Sequence, residues 1–326
     1  MKITKARTIL SVISCAAILS ACGGGGGNST TPPATSNPPS STPTSNVKLA
    51  DSSNNYANVK TAYAATMYAA QNVTNVYEFL LEGVLLAANT TTAGTQTLSC
   101  SSGGSATLTL TDADNSKSIT AGDSANVTFN NCQDTVNGTP VVISGSASFA
   151  VKASTGTVNS ANTDWTLTVD ETASQLNMAA GGASALINGK MTLAVQYTGA
   201  TRSSFVTATA SNVTATHTSA SGNQIVVGMP NFALTDSYSA SAGTDTVAFN
   251  GTLSATFNKG ASLLELSVAT PTQLVSTSGT VNSGSVTLTS GSETTSATFA
   301  SASTINITGA ATVTTSPSEL NAILTN

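Results

Sequence analysis

Ile187-Asn188-Gly189-Lys190-Met191-Thr192-Leu193-Ala194-Val195-Gln196-Tyr197 places an apolar or small residue at every second position. Successive side chains on a β-strand point to opposite faces, so this period of two predicts a strand with one dry face and one wet face. Val141, Ile143, Gly145, Ala147, Phe149 and Val151 keep the same phase, as do Trp165, Leu167 and Val169, and again Phe249, Gly251, Leu253, Ala255 and Phe257. Such runs mark antiparallel strands, about ten to twelve of them and several longer than usual, between about residues 97 and 315. Asn137-Gly138, Asn188-Gly189 and Asn250-Gly251 each stand at the head of an alternating run. Asn-Gly ordinarily makes a hairpin turn. In the last two cases the glycine keeps the apolar phase, which predicts a bend inside the strand and a curved sheet. Ser276 to Ser292 shows no clear phase and reads as edge strands or loops.

Upstream the period changes. Val59, Tyr63, Met67, Ala70, Val73, Tyr77, Leu80 and Val84 recur at spacings of three or four, predicting one amphipathic helix over about 56–88. Asp51, Ser52 and Ser53 are candidates to cap it, and Asn89 with the threonines after it ends it. Glu78 and Glu82 argue against a membrane span, so the Tyr and Met stripe is expected to pack on the sheet. The fold class that follows is α+β and mainly β: one long N-terminal amphipathic helix on a large curved antiparallel sheet, as a single domain over 48–326. A transmembrane barrel is disfavoured, because aromatic residues make up only 5% of the chain and cannot furnish two interfacial girdles.

Composition narrows function by exclusion. The 326 residues include 46 serines and 56 threonines, yet only 8% are charged, with a formal net charge of −5 and a single histidine. Phosphate neutralisation needs a basic patch, and none is present, so no nucleic-acid partner is expected. Acids, bases and histidine are too few for an ordinary active site. His217 would have to serve any Ser–His–acid triad, but no G-x-S-x-G elbow occurs, and it reads as a surface residue at a strand end. Asp170-Glu171 offers two adjacent carboxylates of the kind glycoside chemistry pairs, but neighbours on a strand face opposite ways, and the pair is read as a turn.

The first residues carry the most specific signal. Lys2, Lys5 and Arg7 precede an uncharged stretch, Ile9 to Leu19, that is too short to span a bilayer. It runs into Leu19-Ser20-Ala21-Cys22, which resembles the lipobox of bacterial lipoproteins. The resemblance implies a signal peptide over 1–21, and a Cys22 that receives a diacylglyceryl group and, once its amine is freed, a further acyl chain such as palmitate. It also implies a membrane partner through the lipid anchor. Gly23 instead of Asp after the cysteine favours, by the same resemblance, the cell outer membrane, with the periplasmic and surface faces both open. Residues 22–47, rich in Gly, Ser, Thr and Pro and uncharged, are expected to be a tether spanning roughly 25–30 Å.

With Cys15 in the signal peptide and Cys22 acylated, Cys100 and Cys132 remain, and in an exported protein they are expected to form a structural disulfide. Between them Asp112-Ala113-Asp114-Asn115-Ser116-Lys117-Ser118-Ile119-Thr120-Ala121-Gly122-Asp123 resembles an EF-hand calcium loop. The resemblance assigns Asp112, Asp114, Ser116, the Ser118 carbonyl and Asp123 as metal ligands. Lys117 stands where the loop needs glycine, Asp123 is shorter than the usual glutamate, and the flanks Ala106–Leu110 and Ala125–Phe129 look like strands. A polar hairpin loop is therefore preferred over a weak calcium site, and no other cofactor is expected. The functional expectation is an outer-membrane-anchored lipoprotein, not an enzyme, with a structural or interaction role among envelope proteins. The alternative is a carrier of a lipid-like ligand between helix and sheet.

Overall fold

A computed structural model describes residues 45–88, 93–136, 139–257, 262–277 and 279–325. The expected signal peptide, Cys22 and most of the expected tether, with Asn137-Gly138 and the helix stop expected at Asn89, lie outside the described residues. Among the described residues, fourteen strands form one sheet in strict sequence order, each antiparallel to the next. They are β1 (Gly94–Ser99), β2 (Gly103–Thr111), β3 (Ser124–Val136), β4 (Thr139–Gly156), β5 (Trp165–Ala180), β6 (Ala183–Thr198) and β7 (Ser203–Thr218). The second half is β8 (Gln224–Ser239), β9 (Thr244–Phe257), β10 (Ser262–Thr277), β11 (Thr280–Ser290), β12 (Glu293–Ser301), β13 (Thr304–Gly309) and β14 (Val313–Thr315). Helical chain precedes and follows the sheet: α1 (Ala57–Met67), a π segment (Tyr68–Val73), α2 (Thr74–Ala88) and α3 (Pro317–Thr325).

The alternation survives folding. On β6, Ile187, Met191, Leu193 and Tyr197 are buried, and Lys190 and Gln196 between them are exposed. One apolar cluster runs from Leu108 on β2 through Leu193 and Phe249 to Ile307 on β13, closed by Tyr63, Tyr68 and Tyr77 from the helical chain. The apolar face is therefore the inner, helix-covered one. A membrane barrel needs an apolar outer band; here the outer face carries threonine pairs such as Thr95–Thr109 at 3.0 Å, Thr155–Thr166 at 2.7 Å and Thr289–Thr294 at 3.1 Å. No helix of the described residues is long and apolar enough to cross a membrane.

A band of register shifts crosses the sheet, at Phe129/Cys132, Ala173/Leu176, Asn188/Lys190, Gly228/Asn231 and Ala269/Leu274. Each inserts residues into one strand and bends it. Gly189 has φ +116 and sits inside β6 opposite Asn212 (φ 60), where a Cβ would lie 2.5 Å from the Asn212 carbonyl oxygen. Only glycine fits that conformation and that approach. The in-strand bends expected at Asn188-Gly189 and Asn250-Gly251 are thus present.

Three expectations are corrected. The helical stretch is not one long amphipathic helix. It is an 11-residue α-helix, a six-residue π segment and a 15-residue α-helix, and α3 is a separate C-terminal helix. In α1, Ala62, Tyr63, Ala64, Ala65 and Thr66 are all buried, so the helix is enclosed on nearly every side. Small alanines permit this, and Leu49, Leu320 and Leu324 are buried in the same core. Asp51 caps a short 3₁₀ turn at Ser52–Asn54 by accepting from Ser53 N, and α1 begins only after Tyr56 turns through φ 58. The unphased stretch 276–292 is largely β11, an interior strand whose Val286 and Leu288 are fully buried. Threonine and serine suit a pleated surface, so a strand forms there with little hydrophobic contrast to announce it.

A meander sorts its connections into two ends. Residues 45–49 join the body at the end that holds the β9–β10 and β11–β12 connections. Asn46 N donates to Leu263 O (3.0 Å), Glu265 N to Ser45 Oγ (2.7 Å) and Leu49 N to Glu293 Oε2 (2.7 Å). The connections after β2, β4, β6 and β8 lie at the opposite end.

Candidate functional site

The acidic loop hangs at that opposite end, between β2 and β3, so its flanks are strands as expected. Asp112, Asp114 and Asp123 converge, each offering a carboxylate oxygen within 4.8 Å of the others. The chain's own donors hold them there. Asp112 accepts from Ser116 N (3.1 Å) and Lys117 N (2.8 Å), and Asp114 from Ser116 N (3.0 Å) and Thr120 Oγ1 (3.0 Å). Asp123, which is buried, accepts from Ala113 N (2.9 Å) and Thr120 N (2.7 Å). Hydrogen bonds from the Ser116 hydroxyl and backbone, then Thr120, pull the Asp114 carboxyl down to about 2. Lys117 adopts φ 60, the left-handed conformation for which a calcium loop uses glycine. The Ser118 carbonyl, one of the five assigned ligands, accepts from Ser116 Oγ at 3.1 Å. Chemically the cluster is a set of hard oxygen donors of the calcium class. As folded, those oxygens organise a tight polar loop, and a cation would have to displace or share hydrogen bonds already made.

The disulfide joins Cys100, just after β1, to Cys132 on β3, with Cα atoms 5.4 Å apart and 32 residues of separation. It staples the first three strands at one edge of the sheet. Chain entropy assigns such a cross-link about 3–4 kcal/mol. Cys132→Ser under oxidising conditions is expected to lose about that much stability in urea denaturation. A loss under 1 kcal/mol would mean the strand pairing alone holds this edge.

Asp170 and Glu171 are not a turn; they lie mid-strand in β5 and face opposite ways. Asp170 points outward, 2.7 Å from Lys190 Nζ and 3.5 Å from Lys152 Nζ, and accepts from Thr192 Oγ1 at 2.7 Å. Its hydrogen bond from Lys190 leads the effects that hold its carboxyl below the usual range. Glu171 points inward, is 0% exposed, and neither carboxyl oxygen has a hydrogen-bond partner. Burial first, then the nearby Glu78 carboxylate, drives its pKa well above the ordinary value. The two acids therefore form no catalytic pair: a strand's pleat separates them into different solvents.

His217 stands at the end of β7 as expected, but on the inner face, so it is 1% exposed and not a surface residue. Its position in phase with Val213 and Ala215 was the available signal. Sequence reasoning also missed a shallow cleft of about 100 Å³ at the end opposite residue 45, lined by Asp164, Trp165, Gln196, Tyr197 and threonines 155, 166 and 198. Trp165 and Tyr197 stack across β5 and β6 at 5.6 Å. The Trp165 indole donates to Ser160 O (2.9 Å) and the Tyr197 hydroxyl to Ala161 O (3.0 Å). Both rings are buried and anchor the β4–β5 connection, leaving little aromatic surface for a ligand.

No protein-family model, curated protein or solved structure matches this chain.

Proposed function

We propose that this protein is a lipid-anchored lipoprotein of the cell outer membrane, acylated at Cys22, with a non-enzymatic structural or interaction role in the envelope. The observation that carries the reading is the division of labour between the two faces of the sheet. The inner face is filled by the chain's own Tyr63, Tyr68, Tyr77 and Leu80, and the outer face presents hydroxyl side chains with few charges. A surface of that kind makes contacts through many weak, short-range hydrogen bonds, suited to a polar partner and ill suited to electrostatic steering. The entry of the chain at one end of the strands supports the same reading, because a tether there would present the opposite end, with the acidic loop and the Trp165 cleft, away from the lipid.

Native mass spectrometry of the purified chain tests this against carriage of a lipid. The expected result is the mass of the disulfide-bonded protein, with covalent acyl chains on Cys22 and nothing released by solvent. A non-covalent adduct of a few hundred daltons, removed by organic solvent, would replace the reading with that of a carrier.

A further inference from the structure

His217 is the one histidine of the chain, and its site is built from three places far apart in sequence. On the sheet its register partners are Ala185 on β6 and Ile225 on β8. The Tyr68 ring, first residue of the π segment, lies over it with centroids 5.5 Å apart, tilted by 58°. The third side is α3, whose Leu320 and Leu324 are buried in the same core and whose Leu324 backbone faces the ring. Neither ring nitrogen has a hydrogen-bond partner. Among the described residues the titratable group that faces the ring is Tyr68. Ser219 is buried beside it but turns its hydroxyl to Ser221 (2.7 Å), and Glu319 of α3 is turned to Thr315 Oγ1 (2.6 Å) and Lys60 (4.0 Å).

α3 is held lightly. It has nine residues, and its polar ties to the rest of the chain are the part-exposed Lys60–Glu319 pair, the Thr315 contact, the Leu324 backbone at His217 and a cap in which Glu319 N donates to Ser316 Oγ (3.2 Å). Elements with few such ties are among the first to open. An imidazolium needs two acceptors and water or a counter-charge; the Leu324 backbone favours the charged ring, but burial outweighs it.

We propose that His217 is an acid-sensitive latch for α3: protonation of its ring undocks the C-terminal helix and the adjoining π segment, uncovering that end of the inner face while the rest of the sheet stays folded. Burial lowers the affinity of the ring for a proton, so the closed state is fully favoured above the ordinary histidine pKa of about 6.5 and loses ground as pH falls below it. The limit is tenfold per pH unit.

Hydrogen exchange of the full chain, corrected for intrinsic rates, tests the latch at pH 7.5 and 5.0. Protection of residues 317–325 and of the π segment is expected to fall roughly tenfold or more at pH 5.0, with β4 to β6 unchanged. His217→Phe, which keeps a ring but cannot titrate, is expected to hold α3 protection constant over the same range. Equal protection of wild-type α3 at both pH values, or an equal loss in His217→Phe, overturns the proposal. Should that variant fail to fold, the wild-type chain supplies its own control. The single histidine gives one proton-resonance titration, whose midpoint must coincide with that of α3 opening, and a mismatch overturns the latch as well.

Discussion

Gly145→Ala is expected to lose about 4 kcal/mol or more of stability and to leave little folded protein. Gly145 sits inside β4 at φ +98, where a Cβ would lie 2.0 Å from the Gln175 carbonyl oxygen and 2.8 Å from Leu176 Cα. Neither atom can retreat, because both belong to the backbone of β5. Gln175 is itself at φ 49, with its N–H donating to Asn188 Oδ1 at 2.7 Å. An alanine would thus combine a left-handed backbone with a backbone clash, at one node of the band that bends the sheet over α1 and α2. Gly243, in the β8–β9 connection, is the matched control: its φ is +63, but a Cβ there meets nothing within 4 Å. Gly243→Ala should cost only about 1–2 kcal/mol. Urea denaturation of both variants decides the matter, and equal losses would show that β4 and β5 can separate at Gly145 without consequence.

Glu171→Gln is expected to abolish a fall of stability with rising pH. Glu171 is enclosed by Phe149 and Met191 on the neighbouring strands, with Tyr77 and Glu78 close by on α2. Its folded pKa is raised far above that of the unfolded chain, near 4.3. The folded protein therefore keeps a proton that the unfolded chain releases. The stabilisation is complete below about pH 4.3 and is lost by about 1.4 kcal/mol per unit as pH climbs towards the folded pKa. Asp170 runs the other way, with a lowered pKa, and weakens the fold only in strong acid. Between pH 5 and pH 8 the wild-type chain should therefore lose stability that the glutamine variant retains, at up to about 1.4 kcal/mol per unit. Parallel profiles in urea denaturation at pH 5, 6.5 and 8 would mean that Glu171 reaches water or a partner when folded.

These two residues also show where a sequence stops informing. The bends at Gly189 and Gly251 were legible, because a glycine that keeps the apolar phase of a strand leaves few other readings; Gly145 keeps the same phase, but its bend was not read from it. The fate of Glu171 was half legible. The alternation Leu167, Val169, Glu171, Ala173 puts it on the apolar face, but a pair of adjacent acids resembles a turn when each is judged by its chemistry alone. His217, in phase with Val213 and Ala215, was hidden by the same habit. The π segment left no trace at all, since Tyr68–Val73 has ordinary helix-compatible composition. In the acidic loop, the clustering of Asp112, Asp114 and Asp123 was legible from their spacing. That their oxygens are already engaged by Ser116, Lys117 and Thr120 was not.

By itself the sequence determined the strand period and the in-strand bends, because each is a property of residues close together along the chain, and composition left Cys100 and Cys132 as the pair for the disulfide. Only the tertiary structure decided that the strands form one meander of fourteen, that α1 is enclosed and not laid on a surface, and that Glu171 and His217 are shut away from water. Burial is conferred by whatever packs from elsewhere in the chain. The groups that cover His217 come from residues 68 and 324, on either side of it and more than a hundred positions apart from each other, and no local pattern records their meeting.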